Sequence, residues 1–460
     1  MSNLVNATRS YNAVTQNGAV THSTSLDSCL DMFSIAGATR NISEEAIITM
    51  FERAWAQDKR ITAKILFWAR DARQGAGERR FFHVIMKHML EKYPKDAEKL
   101  IVYAPEFGYW KDIFTICQPL PAILTFVALS LETDTESSLL AKWFPRKGVW
   151  FKEMHKYLQI TPKELRKKLV SLTYVVETNM CNQDWSSIEY KKVPSLAMHR
   201  YRSAFQKQDP RYMEYIAKVN EGKEKINASV VYPYQLYQAI KQGQPEEAVE
   251  AQWNNMPDYM KDSTERILPV CDVSGSMSGQ PLDISVSLGL YISERNRSIF
   301  KDAFITFSEH PTMQYLQGSL AQRIRQLEKA DWDNNTNLQA TFELILRSAI
   351  REKLNEDDMP TKILIISDME FDEATPGNTN YEAIRMRYQQ AGYKMPQVIF
   401  WNVNGRTGNS PVQKDDYGTG LVSGFSPSIL KSVLKGEIGT PVQLMLDTVL
   451  TDRYECIEIE

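Results

Sequence analysis

Ile267-Leu-Pro-Val-Cys-Asp272-Val-Ser274-Gly-Ser276 decides how the second half of this chain is read. Ile267 to Cys271 is an apolar run of strand length, and the Asp-x-Ser-x-Ser loop follows it directly. In an open α/β sheet ligands gather at the carboxyl ends of strands, so this loop stands where a site forms. Asp272, Ser274 and Ser276 converge on one point if the loop curls. A carboxylate and two hydroxyls are hard oxygen donors, suited to Mg²⁺, Mn²⁺ or Ca²⁺ and not to soft metals.

The surrounding pattern supports that placement. Ala303-Phe-Ile-Thr-Phe307, Lys362-Ile-Leu-Ile-Ile-Ser367 and Gln397-Val-Ile-Phe-Trp-Asn-Val403 are further strand-length apolar runs. Between them Leu338, Phe342, Ile345, Leu346 and Ala349 keep helical spacing. Strands separated by helices imply a mostly parallel, Rossmann-like sheet. Ile284, Val286, Leu288, Leu290 and Ile292 alternate as a strand would. A helix is expected there all the same, because a parallel sheet needs a crossover after its first strand. Two more oxygen donors fall where this fold brings them alongside. Thr336 lies in the loop Asp331-Trp-Asp-Asn-Asn-Thr-Asn337, and Asp368 follows the strand ending at Ser367.

The first half reads as helices. Ile61, Ile65, Leu66 and Trp68 share one helix face, and Phe81, Phe82, Ile85, Met86 and Met89 begin another amphipathic helix after the break at Gln74 to Glu78. Thr161-Pro-Lys-Glu164 has capping-box spacing. Helix pairs joined by short turns over some 200 residues suggest a HEAT-like α-solenoid. The expected organisation is an N-terminal arm at 1–24, a helical-repeat domain at 25–262 with a linker at 241–262, and the sheet domain at 263–460.

The whole chain of 460 residues carries a formal charge of -3, but unevenly. Residues 1–250 hold 34 Lys+Arg against 28 Asp+Glu, a balance of +6, and the rest hold 20 against 29, a balance of -9. That asymmetry fits a half that meets an anion and a half that meets a cation. Five cysteines lie far apart without a C-x-x-C pair, which suggests reduced thiols in a cytoplasmic protein. The first residues lack the charged start and apolar core of a signal peptide, and no apolar run is long enough for a bilayer, so no membrane partner is expected. Hydroxyl ligands leave little room for a second ion or a general base, and the chain has no P-loop. Binding rather than catalysis is expected. The six histidines form no cluster with metal-ligand spacing.

The loop at Asp272, Thr336 and Ile366-Ser-Asp-Met-Glu370 together resemble the metal-ion-dependent adhesion site of von Willebrand factor A (vWA) domains. The resemblance implies that Ser274, Ser276 and Thr336 bind a metal, Mg²⁺ first, directly. Asp272 and Asp368 bind it directly or through water, and vacant positions accept a carboxylate from a protein partner. In the helical half Thr15 to Phe33, Ala69-Arg-Asp-Ala-Arg-Gln-Gly-Ala-Gly-Glu-Arg-Arg-Phe-Phe82, Pro105 to Phe114, Ala141 to Lys147, Val176 to Trp185, Ile188 to Met198 and Gly222 to Pro233, with Gly420 to Leu430, resemble a family of plant, bacterial and viral proteins. That family is similar in plan to the TROVE module of the Ro autoantigen, whose helical repeats form a ring or horseshoe that a vWA domain closes. The resemblance implies a ribonucleoprotein that binds single-stranded or structured RNA. Candidate phosphate contacts are Arg70, Arg73, Arg79, Arg80, Lys142, Arg146, Lys147, Lys191, Lys192, Arg200 and Arg202, with Trp110, Trp143 and Trp185 as stacking candidates. The alternative is an adaptor that engages a protein such as a MoxR-type AAA+ ATPase through the metal site.

Overall fold

The computed structural model describes residues 12–132, 137–307, 311–328, 336–372 and 379–459. Of the segments singled out above, residues 1–11, His310 and residues 331–335 lie outside the described residues.

The chain opens with a short hairpin, β1 (Ala13–Val14) antiparallel to β2 (Val20–Thr21). Helices follow, each started by local chemistry. Asp27 accepts the Leu30 amide at the head of α1 (Ser28–Ala36), Ser43 caps α2 (Glu44–Gln57), Asp58 caps α3 (Lys59–Arg70) and Glu78 caps α4 (Arg79–Lys92). Asp112 reaches back to the Tyr109 amide at the start of α5 (Trp110–Ile116). Beyond α6 (Ser137–Trp143), the capping box read from Thr161 and Glu164 opens α7 (Pro162–Leu172). Shorter helices separate these from α8 (Ser195–Gln208), α9 (Pro233–Lys241) and α10 (Glu246–Asn254).

The stretch expected as a linker is therefore structured. α10 lies inside 241–262, and its Trp253 is completely buried because the indole N–H finds Glu294 at 2.6 Å and the ring meets Tyr291 edge-on. Polar composition hid a helix that is amphipathic against the sheet domain.

Among the described residues the sheet domain carries six strands, in the order β5-β4-β3-β6-β7-β8. β3 (Ile267–Cys271), β4 (Ala303–Thr306), β6 (Lys362–Ser367), β7 (Gln397–Asn402) and β8 (Thr419–Ser423) run parallel to their neighbours. β5 (Met313–Tyr315) adds antiparallel to β4. The segment whose alternation suggested a strand is helix α11 (Gln280–Arg295), and every residue from Ile284 to Ser293 is buried. A helix covered all round has no polar face, so its apolar spacing carries no period. Gly289 lets it approach Cys271 and Phe304, where a Cβ would have no room. α12 (Leu338–Glu352) matches the helix read from its spacing.

The helical part both begins and ends on the sheet domain. At one end the Gly37 amide donates to Ser423 Oγ, which donates to the Phe33 carbonyl, tying α1 to β8 (2.9 Å each). α13 (Pro441–Val449) packs on β8 and α3, and Arg453 beyond it pairs with buried Asp71 at 2.9 Å. At the other end α9 lies along α11, with Gln238 donating to Asp283 at 2.8 Å. The two ends also meet each other, for the Tyr232 ring stands against Phe425 and its hydroxyl reaches the Ala72 carbonyl. One apolar core runs through the first helices and the sheet domain, while residues between Ile188 and Ile226, with Ala248 and Ala251, build a second, separate one.

Candidate metal centre and basic cleft

The strand order reverses between β3 and β6, because the chain leaves β3 toward β4 and leaves β6 toward β7. Such a switch point opens a crevice at the carboxyl ends of the two strands. Asp272 follows β3 and Asp368 follows β6, so the fold delivers both carboxylates to this crevice. The register carries on through the loop, with the Asp272 amide donating to the Ile366 carbonyl at 2.9 Å.

Both carboxylates are buried. Asp272 accepts the Ser274 amide at 2.9 Å on one oxygen and the Ser367 hydroxyl at 2.6 Å on the other. The first bond curls the loop, leaving the Ser274 and Ser276 hydroxyls 3.1 Å apart, the former buried and the latter exposed. Asp368 is followed by Met369 with a φ of 67°, a left-handed turn that a side chain rarely adopts. It bends Glu370 back so that its amide caps Asp368 at 3.2 Å. Burial, and then the charge of Asp368, push the Asp272 carboxyl up to about 6.

Thr336 is also buried, but its hydroxyl is committed to the segment after Asp368. It lies 2.9 Å from both the Glu370 carbonyl and Asp372, and receives the Asn17 amide at 3.0 Å. Arg406 stands 3.4 Å from Asp368 and 3.8 Å from Glu370. Asn17, Glu370, Asp372 and Arg406 escaped the sequence reading. Glu370 and Asp372 were visible as carboxylates beside Asp368, whereas nothing in the sequence pairs Asn17 with a loop more than 300 residues away.

The donor set suits a hard divalent cation. Two like-charged buried carboxylates face each other beside two close hydroxyls, and an added cation relieves their repulsion. Among the described residues no three His, Cys, Asp or Glu side chains gather to hold a metal, so the hydroxyls are needed as ligands here.

The basic candidates fall into distinct groups. Arg70 and Arg202 are 1% and 2% exposed, which corrects their assignment as phosphate contacts. Arg70 is locked on Asp112 at 2.6 Å, and Arg202 bonds to His199 on its own helix. Helix capping and core packing, not ligand binding, account for both. Arg79 is held by Asp112, Lys142 by Glu177 and Lys192 by Glu189, while Arg73 donates to the Glu106 carbonyl. Arg146, Lys147, Lys191 and Arg200 are exposed. Trp110 is a core residue stacked on Phe126, and Trp185 packs edge-on against Phe205; Trp143 is exposed, with Lys111 and Lys142 over its ring.

A cleft of about 760 Å³ between α2, α4 and α5 gathers more cations than the sequence suggested. Arg40, Arg79, Arg80, Lys87 and Lys111 line it, with His83, His88 and the carboxylates Glu44, Glu78 and Glu91, so the cations outnumber the anions by five to three. Arg79 and His83 are aimed by the same Asp112 carboxylate, 2.8 Å from each, and Arg80 is fixed on the Thr39 carbonyl at 2.9 Å. Asp112, buried against His83, Arg70 and Arg79, keeps its carboxyl well below the usual range despite the opposing effect of burial. Lys87 on α4 and Lys111 on α5 lie 24 residues apart on separate helices, so only the fold shows them as one group.

Fold and site together define a two-part protein, a helical segment closed onto an open, mostly parallel sheet with a switch-point crevice. Residues 15–122 and 122–265 match the family model described as Domain of unknown function (DUF2828), more than half of the chain, and the chain belongs to that family. Residues 266–449 match a second model, Domain of unknown function (DUF7788). The chain is 29% identical over 496 residues to "Uncharacterized protein L728" of Acanthamoeba polyphaga mimivirus, across 94% of this chain and 86% of that one. Among solved structures it is similar to the Ro (RSR) protein of Deinococcus radiodurans, at 11% identity and a TM-score of 0.40, over 93% of this chain and 99% of that one. Among the described residues no helix is long and apolar enough to cross a membrane, and all five cysteines are unpaired.

Proposed function

We propose that this protein binds RNA on its helical part and holds one divalent cation, Mg²⁺ first, at the switch point of its sheet domain. The basic cleft carries the RNA reading. Five cationic side chains line a single groove, several of them fixed by bonds to the protein, so they meet phosphates with little ordering cost. Exposed Trp143, beside Lys111 at the cleft wall, offers a stacking face. The resemblance of the helical half to a family similar in plan to the TROVE module of the Ro autoantigen supports the same class of ligand. At the switch point Ser274, Ser276, Asp272 and Asp368 would hold the cation, with Thr336 on the adjoining segment. Such an ion offers an open position to a carboxylate of a protein partner, which makes the domain a binding module.

The test is a titration of single-stranded RNA against the purified chain at low salt. Lys87→Glu with Lys111→Glu is expected to weaken binding at least about tenfold and to flatten the salt dependence by about two phosphate contacts. Both lysines are exposed, so the fold is retained. Equal affinity of the double variant and the parent would sink the cleft assignment, and no binding at low salt would sink the RNA reading.

A further inference from the structure

Arg406 is the one cation in contact with the switch-point carboxylates among the described residues. It belongs to the loop that follows β7, and that loop is clamped on both sides. The Gly405 amide donates to the Ala38 carbonyl at 2.8 Å, and Asn41 donates to Asn404 at 2.9 Å. On the other side the N-terminal hairpin holds it, since Thr21 donates to Asn409 and Ser410 while His22 and Ser410 exchange backbone bonds. Asn409 in turn donates to the Met369 carbonyl and to Glu370. The guanidinium is thus delivered to Asp368 by the backbone around it and not by a long side chain searching from the surface.

Its formal charge matters at this place. Asp272 and Asp368 bring two buried negative charges to the crevice, Glu370 and Asp372 stand on the adjoining segment, and Arg406 brings one positive charge against Asp368 and Glu370.

We propose that Arg406 is a built-in counter-ion that sets the charge selectivity of the cation site, favouring a divalent ion and holding back ions of higher charge. This rests on the reading of the switch point as a cation site. A fixed positive charge nearby raises the energy of an entering ion in proportion to that ion's own charge. Removing it therefore favours a trivalent ion more than a divalent one. A purely structural role for Arg406 would change both affinities by a common factor, or neither.

The experiment measures Mn²⁺ binding by calorimetry and Tb³⁺ binding by luminescence on the full chain, its Arg406→Gln and Arg406→Lys variants, and Asp272→Ala. Arg406→Gln is expected to tighten Mn²⁺ about tenfold and Tb³⁺ about thirtyfold, the exponent scaling with ionic charge. Arg406→Lys keeps the charge and should stay near the parent for both ions. Equal gains for the two ions, or no gain, overturn the counter-ion role while leaving the site intact. Asp272→Ala reports on the site itself: if it binds Mn²⁺ as well as the parent, the cation site is misplaced.

Discussion

The Ser367 hydroxyl donates to Asp272 across the junction of β3 and β6 at 2.6 Å, one residue before Asp368. This bond joins the two strand ends that supply the candidate metal ligands. It also fixes the Asp272 carboxylate, whose other oxygen is taken by the Ser274 amide. Outer-sphere bonds of this kind orient ligands, and their loss costs about 10- to 100-fold in metal affinity. Ser367→Ala should weaken Mn²⁺ binding by about that range, as calorimetry would show. The same change removes one buried bond, so the unfolding free energy should fall by only about 1 kcal/mol. A large loss of stability with unchanged Mn²⁺ affinity would assign Ser367 to the core instead.

Trp143 and the lysines around it act through different physics. Lysine contacts to phosphate release counterions and so steepen the salt dependence, whereas stacking of a base on an indole does not. Trp143 is exposed, between Lys111 at 5.2 Å and Lys142 at 5.5 Å from its ring. Trp143→Ala is expected to lower affinity for single-stranded RNA about tenfold with an unchanged salt slope. Reversal of charge at Arg146 and Lys147, both exposed on the following turn, should lower the slope as well. Titrations at several salt concentrations separate the two outcomes.

How far the sequence revealed this protein follows from what each element buries. Four parallel strands were legible because each is an apolar run followed by polar punctuation. β8 was not, since Gly420 and flanking Thr419 and Ser423 dilute its pattern, although the sheet buries all five of its residues. β5 is three residues long and only partly covered, too short for any period. At the switch point Asp272, Ser274 and Asp368 stood out because they follow strands. Arg406 and Asn17 did not, because only tertiary packing brings their loops to the carboxylates. The basic candidates failed most where charge was being used inside the fold. Arg70 sits among arginines that look exposed in sequence, yet Asp112 draws it into the core.

That pairing makes a stability prediction. Arg70 and Asp112 are both buried, 2.6 Å apart, and Asp112 also anchors Arg79, His83 and the Tyr109 amide. Breaking a buried ion pair by removing one partner leaves an uncompensated charge and costs about 3–5 kcal/mol. Asp112→Ala should lose about that much in urea unfolding, while Asp112→Ala with Arg70→Met should recover a good part of it. If the double variant is no better than the single one, the loss comes from the α5 cap and not from the stranded guanidinium.

Acid should loosen the second core before the first. His199 lies on α8 beside Arg202, and burial, followed by the charges of Arg202 and Arg200, pushes its imidazole down to about 4. An unfolded histidine titrates near 6.5, so between about 6.5 and 4 the unfolded chain binds the proton that the folded chain refuses. Stability from the neutral ring is therefore complete above about 6.5 and drains away as the pH falls toward 4. Asp112 has the same sign but a lower window, because its depressed carboxyl begins to cost stability only as the pH falls through the ordinary carboxylate range. The helices around Ile188 to Val219 are held by a core of their own, so the effect should be local. Hydrogen exchange at pH 5 against pH 7.5, corrected for intrinsic rates, should show α8 and its neighbours losing protection while β3 and β6 keep theirs. His199→Phe should remove most of that difference, since a ring that cannot be protonated has no pH window to lose.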